Sequence, residues 1–497
     1  GYKITSTLDI QAQVGAKKNI DDAMKNRQNE ALMLAGTEPG TGNVRLLAVN
    51  RNYSNDQRNN GPHTDPAKAG KVKGNYPNTT VPLLTGGADI QGYQSGSVFK
   101  MFTMVAALEK GIPLDYSFDT PSPVKTKYPL APGPAACNDD RGRSVYCPEN
   151  SGGKGQGVKS MWTAFGSSTN TYFVPLQERV GADNVVAAAK KMGIVFHGDD
   201  KDLGDNPQAA ALWGAFTLGV SIHTPLEVAN AYATLAADGK YCKPKPIQEI
   251  VEISSGNKVD GAESKCEQVM SEDVARAATD AARCPVGDKS QYDKCSGGTA
   301  TGTKSEYLKS WPIAGKTGTT DSEKSVTMEA FTKQLSVFGV HTDPDTPQTT
   351  KRFKHDQVNP TVAKTLRDAM QGKEAIQFGK PSQGLALGER RNIPNVKCKS
   401  IADARNAVQA AGFEAQIASG KVASECPDGT AAGTDPTGSS SKGSIVVIQV
   451  SNGQPPGPSP GPSGGTGGGG AAPPPPPPNN PTTPTDPRCR INPRLCD

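Results

Sequence analysis

At 497 residues the chain is too long for one ordinary domain, and two or three are expected. A net charge of +5 with both signs interspersed and no long basic run gives no ground for nucleic-acid binding, and no apolar run approaches the ~18 residues of a membrane span. None of the ten cysteines forms a Cys-x-x-Cys or sits beside histidines at metal spacing, which argues against zinc or dithiol redox chemistry, so no metal and no cofactor is expected.

The chain opens at Gly1-Tyr2-Lys3-Ile4, already inside a strand-like pattern and without a signal peptide. It is therefore expected to be a fragment whose anchor and address lie upstream, in a protein attached to a membrane. The first segment with chemistry in it is Ser97-Val98-Phe99-Lys100. Ser97 heads a long apolar run, Val98 to Leu108, closed by Lys110-Gly111, which predicts a helix. A serine at a helix N-terminus sees unpaired N–H groups and the positive dipole end, which favour negative charge on oxygen. Lys100 lies on the same face and reaches the hydroxyl as a base. The same spacing recurs at Ser122, Ser151, Ser255 and Ser439, but in loop contexts: Ser122 precedes Pro123, Ser151 and Ser439 are in Gly/Ser-rich stretches, and Ser255 is in a predicted hairpin turn before Val259.

Ser168-Thr169-Asn170 offers a second hydroxyl and an amide between two segments that look buried, Met161–Gly166 and Thr171–Leu176. Lys316-Thr317-Gly318-Thr319 follows Trp311–Gly315 as a short strand would, and Gly318 is expected to let a ligand backbone approach closely. The three motifs together supply a nucleophile, a base, a relay and a cationic strand, which is the pattern of penicillin-binding proteins and serine β-lactamases.

The cysteines fall as close sequential pairs, Cys137/Cys147, Cys242/Cys266, Cys284/Cys295, Cys398/Cys426 and Cys489/Cys496. Spacing does not fix connectivity. Nearest-neighbour disulfides in an oxidising, extracytoplasmic space are the expectation. Residues 1–380 mix strands and helices, 381–392 is expected as a linker, and 393–453 has a compact pattern of its own. There Ser400 caps a predicted helix with Asp403 three residues on, Ile401, Ala404, Val408 and Ala411 recur at helical spacing, and Gly412 closes it before the strand Ser444–Val450. Residues 454–497 are Pro/Gly-rich, with a terminal cysteine pair, and are expected to be disordered.

Residues 1–380 resemble the transpeptidase domain of a class A (bifunctional) penicillin-binding protein. The resemblance rests on Thr5–Gln11, on Gly86–Ile90 with Ser95–Thr103, and on Leu218-Gly219, Thr224–Glu227 and Ala231–Ala236. Residues 393–453 are similar to a PASTA module, and the disulfide-rich insertions most resemble actinobacterial examples. The resemblance implies an α+β fold of the penicillin-binding-protein/serine β-lactamase type: an antiparallel sheet flanked by helices, plus a helical subdomain and a small α+β module. It also implies a D,D-transpeptidase of the cell wall that cross-links peptidoglycan stem peptides and is acylated by β-lactams. Ser97 is the nucleophile in that scheme, Lys100 its base and Ser168 a relay. Asn170 holds the stem-peptide amide, Lys316, Thr317 and Thr319 the terminal carboxylate, and the N–H groups of Ser97 and Thr319 form the oxyanion hole. The expected partners are D-Ala-D-Ala donors, amine acceptors and, at the PASTA module, muropeptides, with a plain spacer as the other reading of that module.

The sequence departs from the family at Ser95-Gly96, where Pro-Gly is common, and at Ala330–Gln334, where a Trp-Phe-x-Gly-like strand is usual. Cys398 stands where PASTA modules often have glycine. The glycosyltransferase domain typical of class A is not in this sequence. A β-lactamase needs a glutamate placed to activate deacylating water, and Glu178 and Glu227 are poorly placed for it. A D,D-carboxypeptidase and a non-catalytic β-lactam- or muropeptide-binding wall protein are the remaining alternatives. Gly297–Ser305 is a failed phosphate loop. His63, His197, His223, His341 and His355 form no catalytic spacing, and His223 is expected to be structural.

Overall fold

The computed structural model describes residues 1–456 except 88, 89 and 154. The tail beyond them, with Cys489 and Cys496, lies outside the described residues, as do Ala88 and Asp89 of the segment before Ser97.

In chain order the larger body contains β1 (Tyr2–Ser6), α1 (Ile10–Ala23), β2 (Ala31–Thr37), β3 (Val44–Val49), α2 (Lys100–Glu109), α3 (Met161–Gly166), α4 (Asn170–Val180), α5 (Ala182–Lys191) and α6 (Pro225–Ala236). β4 (Ile247–Glu252), α7 (Glu272–Ala282), β5 (Ala314–Thr319), β6 (Ser325–Phe331), β7 (Ser336–Thr342) and α8 (His355–Met370) follow. The central sheet is antiparallel throughout, in the order β5-β6-β7-β2-β3. β1 pairs with β4 at one side.

Strand periodicity divides the core. On β2, Ala31, Met33 and Ala35 point to one face and Leu32 and Leu34 to the other, and all are fully buried. The first face is covered by the helical subdomain, where Phe99, Phe102, Trp162, Phe173 and Tyr232 are buried together. The second is covered by α1 and α8 through Ala16, Ile20, Val358, Val362 and Leu366. Because both faces are covered, β2, β6 and β7 are buried at every position, β6 included although its sequence alternates polar and apolar from Ser325 to Ala330. Lys316 lies in strand β5, as a cationic strand: Pro312 has no N–H for a ladder, and pairing starts at Ala314.

Residues 381–392, expected as a linker, are built into the body. They contain α9 (Gln383–Leu387) and β8 (Arg390–Asn392). Leu385 and Leu387 pack on the main core, and the Leu385 and Ala386 carbonyls accept from Leu114 and Asp115 N–H. Beyond them come α10 (Ile401–Ala410), β9 (Glu414–Val422), β10 (Ala431–Asp435), β11 (Ser439–Ser441) and β12 (Ile445–Ser451). Ser400 Oγ caps α10 by accepting from Asp403 N–H at 3.1 Å. The helix lies on the sheet β9-β12-β10 around Val396, Val408, Phe413, Val446 and Ile448. Cys398 adopts φ +62°, the region that glycine favours. Disulfides join Cys137 to Cys147, Cys242 to Cys266, Cys284 to Cys295 and Cys398 to Cys426.

Candidate active site

Three segments far apart in sequence meet at edge strand β5. Ser97 lies in a 3-10 turn, Gly96–Phe99, that runs straight into α2. This turn is pressed against β5. A Cβ on Gly96, at φ +63°, would lie 2.7 Å from the Thr319 backbone N, and one on Gly318 would lie 2.1 Å from the Ser95 carbonyl oxygen. Gly318, expected to admit a ligand backbone, instead admits the nucleophile segment. The packing sets the Thr319 backbone against the residue preceding Ser97.

Lys100 is fully buried, one turn along from Ser97. Its Nζ is 2.9 Å from Ser97 Oγ, 2.6 Å from Asn170 Oδ1, 2.5 Å from the Ser168 carbonyl oxygen and 3.1 Å from Ser168 Oγ. Burial, reinforced by the charge of Lys316, drives its pKa well below the ordinary lysine range. A neutral amine has two N–H groups and one lone pair. Asn170 Oδ1 and the Ser168 carbonyl take the two protons, which leaves the lone pair for the Ser97 hydroxyl.

Ser168 sits between α3 and α4 at φ +56°, a conformation uncommon for a non-glycine residue. It is held there by its own N–H on the Phe165 carbonyl and by Thr169 N–H on the Ala164 carbonyl. Its Oγ accepts from Lys316 Nζ at 2.8 Å and lies 3.1 Å from Lys100 Nζ, so the one hydroxyl stands between the two lysines. Lys316, equally buried, donates in addition to its neighbour's carbonyl and lies 5.5 Å over the Phe165 ring. Burial brings its pKa down to about 7. Among the described residues no carboxylate pairs with either lysine. Asn170, the first residue of α4, spends one amide N–H on the Glu149 carbonyl at 2.7 Å.

The other motif residues part company. Thr317 Oγ1 is 2.6 Å from Thr299 Oγ1 and is bound there rather than to the lysine cluster. Thr319, at the exposed end of β5, meets His355 Nε2 at 2.9 Å. His355 is a site residue the sequence reading set aside, and no spacing could have found it: it lies 36 residues on, at the start of α8. His223 is buried, stacks on Phe99 with ring centroids 4.9 Å apart, and is held down to about pKa 3 by burial. Glu178 accepts from Lys127 N–H, and Glu227 closes the capping box of α6 and meets His197; neither bonds to the Ser97 cluster.

The chain matches the family described as penicillin binding protein transpeptidase domain over residues 35–371. It is 27% identical over 357 residues to penicillin-binding protein 1A of Mycolicibacterium smegmatis, covering 68% of this chain and 36% of that protein. To penicillin-binding protein 1A of Mycobacterium tuberculosis it is 27% identical over 348 residues, covering 68% and 35%. The chain thus spans about a third of the length of these relatives. Among solved structures, PonA1 of Mycobacterium tuberculosis in complex with penicillin V superposes with a TM-score of 0.56 at 24% identity, over 77% of this chain and 89% of that one. The D,D-transpeptidase domain of a peptidoglycan glycosyltransferase from Eggerthella lenta gives 0.53 at 19%, over 75% and 83%.

Proposed function

The chain belongs to the family of penicillin-binding protein transpeptidase domains, and from that premise we propose that it is a serine-type D,D-transpeptidase acting through Ser97 on peptidoglycan stem peptides. The observation that carries the reading is a single buried amine, Lys100 Nζ, within hydrogen-bond reach of both Ser97 Oγ and Ser168 Oγ.

In the first half-reaction Ser97 Oγ attacks the penultimate D-alanine carbonyl and its proton passes to Lys100 Nζ. The oxyanion is received by the N–H groups of Ser97 and Thr319. Collapse breaks the amide bond. The leaving D-alanine amine takes a proton from Ser168 Oγ, which Lys100 replenishes, so the base is neutral again. In the second half an acceptor amine loses its proton along the same route, attacks the acyl-Ser97 ester, and the Ser97 alkoxide is reprotonated. Lys316 and Thr319 hold the terminal carboxylate, while Asn170 fixes Lys100 and offers its free N–H to the stem peptide. A β-lactam follows the first half, but its amine stays tethered and the acyl-enzyme stalls.

Residues 393–453 form a PASTA-like module in this reading. The helix-on-sheet core and the Cys398 backbone conformation support it, and the contacts to the body favour a spacer over a muropeptide receptor. Four disulfides among the described residues and the family support a place outside the cytoplasm, on the wall-facing side of the membrane. Incubation with a stem pentapeptide ending in D-Ala-D-Ala and an amine acceptor is expected to release D-alanine and form cross-linked peptide, in wild type and not in Ser97→Ala. Tetrapeptide as the only product would make the enzyme a carboxypeptidase. Release that persists in Ser97→Ala would remove the proposed nucleophile.

A further inference from the structure

Thr319 is the hydroxyl of the Lys-Thr-Gly-Thr motif left at the exposed end of β5, since Thr317 is turned to Thr299. Its Oγ1 lies 2.9 Å from His355 Nε2, and the other ring nitrogen, Nδ1, lies 3.0 Å from Asn359 Oδ1 one turn along α8. An oxygen acceptor at Asn359 places the proton of the neutral ring on Nδ1 and leaves a lone pair on Nε2. Thr319 O–H then donates to His355, with its proton directed away from any ligand. A protonated ring reverses that bond. Nε2–H donates to Thr319 Oγ1, and the threonine proton becomes free to donate to an anion.

We propose that His355 is a positioning residue for the donor carboxylate: it takes up a proton as an anionic donor or β-lactam enters the cleft, and so turns the Thr319 hydroxyl towards the carboxylate. This rests on the reading of Ser97 as an acyl-transfer site. The charged groups facing the ring are Lys316 from β5 and Asp356 from its own helix. Glu306, from the turn Thr303–Tyr307, lines the same hollow of about 310 Å³. In the free protein burial first, and the Lys316 charge with it, hold the imidazole below its usual range against the opposing effects of Asn359 and Asp356, so the ring is neutral at pH 7. An arriving carboxylate neutralises the field of Lys316 and supplies the anion that the reversed hydroxyl needs. The coupling is reciprocal: if protonation favours the carboxylate, the carboxylate favours protonation, and binding strengthens as pH falls. An ester of the same ligand has no charge with which to do this.

The test is the acylation of wild type and His355→Gln by a penicillin and by its methyl ester, followed between about pH 6 and 8. In wild type the preference for the acid over the ester is expected to grow towards the lower pH. In His355→Gln acylation by the acid is expected to slow about tenfold through the binding constant, with the limiting rate and the ester unchanged and the acid/ester ratio left with only the shallower pH dependence that the Lys316 charge, lost past about 7, gives by itself. Equal slowing towards acid and ester overturns the proposal, as does an acid/ester ratio that depends on pH as steeply in the variant as in wild type. An unchanged thermal midpoint shows that the variant folds. If neither ligand acylates wild type, it is the Ser97 reading that fails, and this proposal falls with it.

Discussion

In the cleft, Lys100 and Lys316 are wholly buried and meet no carboxylate among the described residues. At the junction with the C-terminal module, Asp115 is almost buried and meets two cations, Arg390 and Lys294, together with Ser441 Oγ at 3.5 Å. In both places desolvation pushes a group towards its neutral form. The junction opposes that push with paired charge, since both cations act against the upward shift of Asp115. The cleft adds to it, since Lys316 repels a proton on Lys100. Burial with compensation makes an adhesive contact; burial without it makes a reactive amine. Substitutions in the two regions should therefore separate cleanly, those in the cleft removing acylation while sparing stability and those at the junction doing the reverse.

The largest effect is expected from Ser97→Ala. Acylation by penicillin should vanish while the thermal midpoint, followed by circular dichroism, stays near wild type. Lys100→Met, which keeps the bulk and removes the base, should slow acylation by about 10²–10⁴-fold in stopped-flow measurements. It should also raise stability near neutral pH, because an unpaired buried amine is replaced by an apolar side chain. A loss of stability on that substitution would break the comparison.

The pH profile sharpens it. Lys100 acts as the free base, so acylation fails as pH falls through its depressed pKa. Lys316 acts as a cation, so acylation fails as pH rises past about 7, and the second-order rate constant should be bell-shaped. Lys316→Arg should move the alkaline limb upward, whatever it does to the maximum, because a guanidinium stays charged. The stability sign follows from the same shifts. A lysine protonated in the unfolded chain and released in the folded one makes stability rise with pH. For Lys316 the rise begins above about 7, by up to about 1.4 kcal/mol per pH unit, and Lys100, shifted in the same direction, acts with the same sign. Thermal melts across that range in wild type and Lys316→Met should show the slope decrease in the variant.

A smaller effect is expected at the disulfide Cys284–Cys295, which ties down the loop carrying Lys294 and, a few residues on, Thr299. Cys284→Ser with Cys295→Ser should cost about 2–4 kcal/mol in denaturant unfolding. Smallest is Arg390→Ala, a partly exposed pair worth about 1 kcal/mol or less. It should speed limited proteolysis around residues 388–394 and leave acylation unchanged. Acylation that fell in step with protection would mean that the junction and the cleft act as one unit.

What the sequence made legible follows the same division. Ser97 and Lys100 are a turn apart on one helix, and Ser168 and Asn170 bracket a helix start, so local spacing already carries their geometry. The capping of α10 by Ser400 is local in the same sense. The surroundings of other positions depend on what a side chain meets across the fold. Gly318 admits the Ser95 carbonyl and not a ligand, Thr317 is held by Thr299, and Thr319 turns to His355, none of which a strand pattern encodes. Residues 381–392 carry linker-like glycine and proline, yet Leu385 and Leu387 are enough to fasten them to the main core.

The most direct test of the central claim is intact mass spectrometry after a short exposure to penicillin, on wild type and Ser97→Ala side by side. One persistent adduct of the drug's mass on wild type, located to the peptide containing Ser97 and missing from the variant, is the result predicted. An adduct that survives in Ser97→Ala, or a wild type that stays unmodified while the drug remains intact, would contradict it.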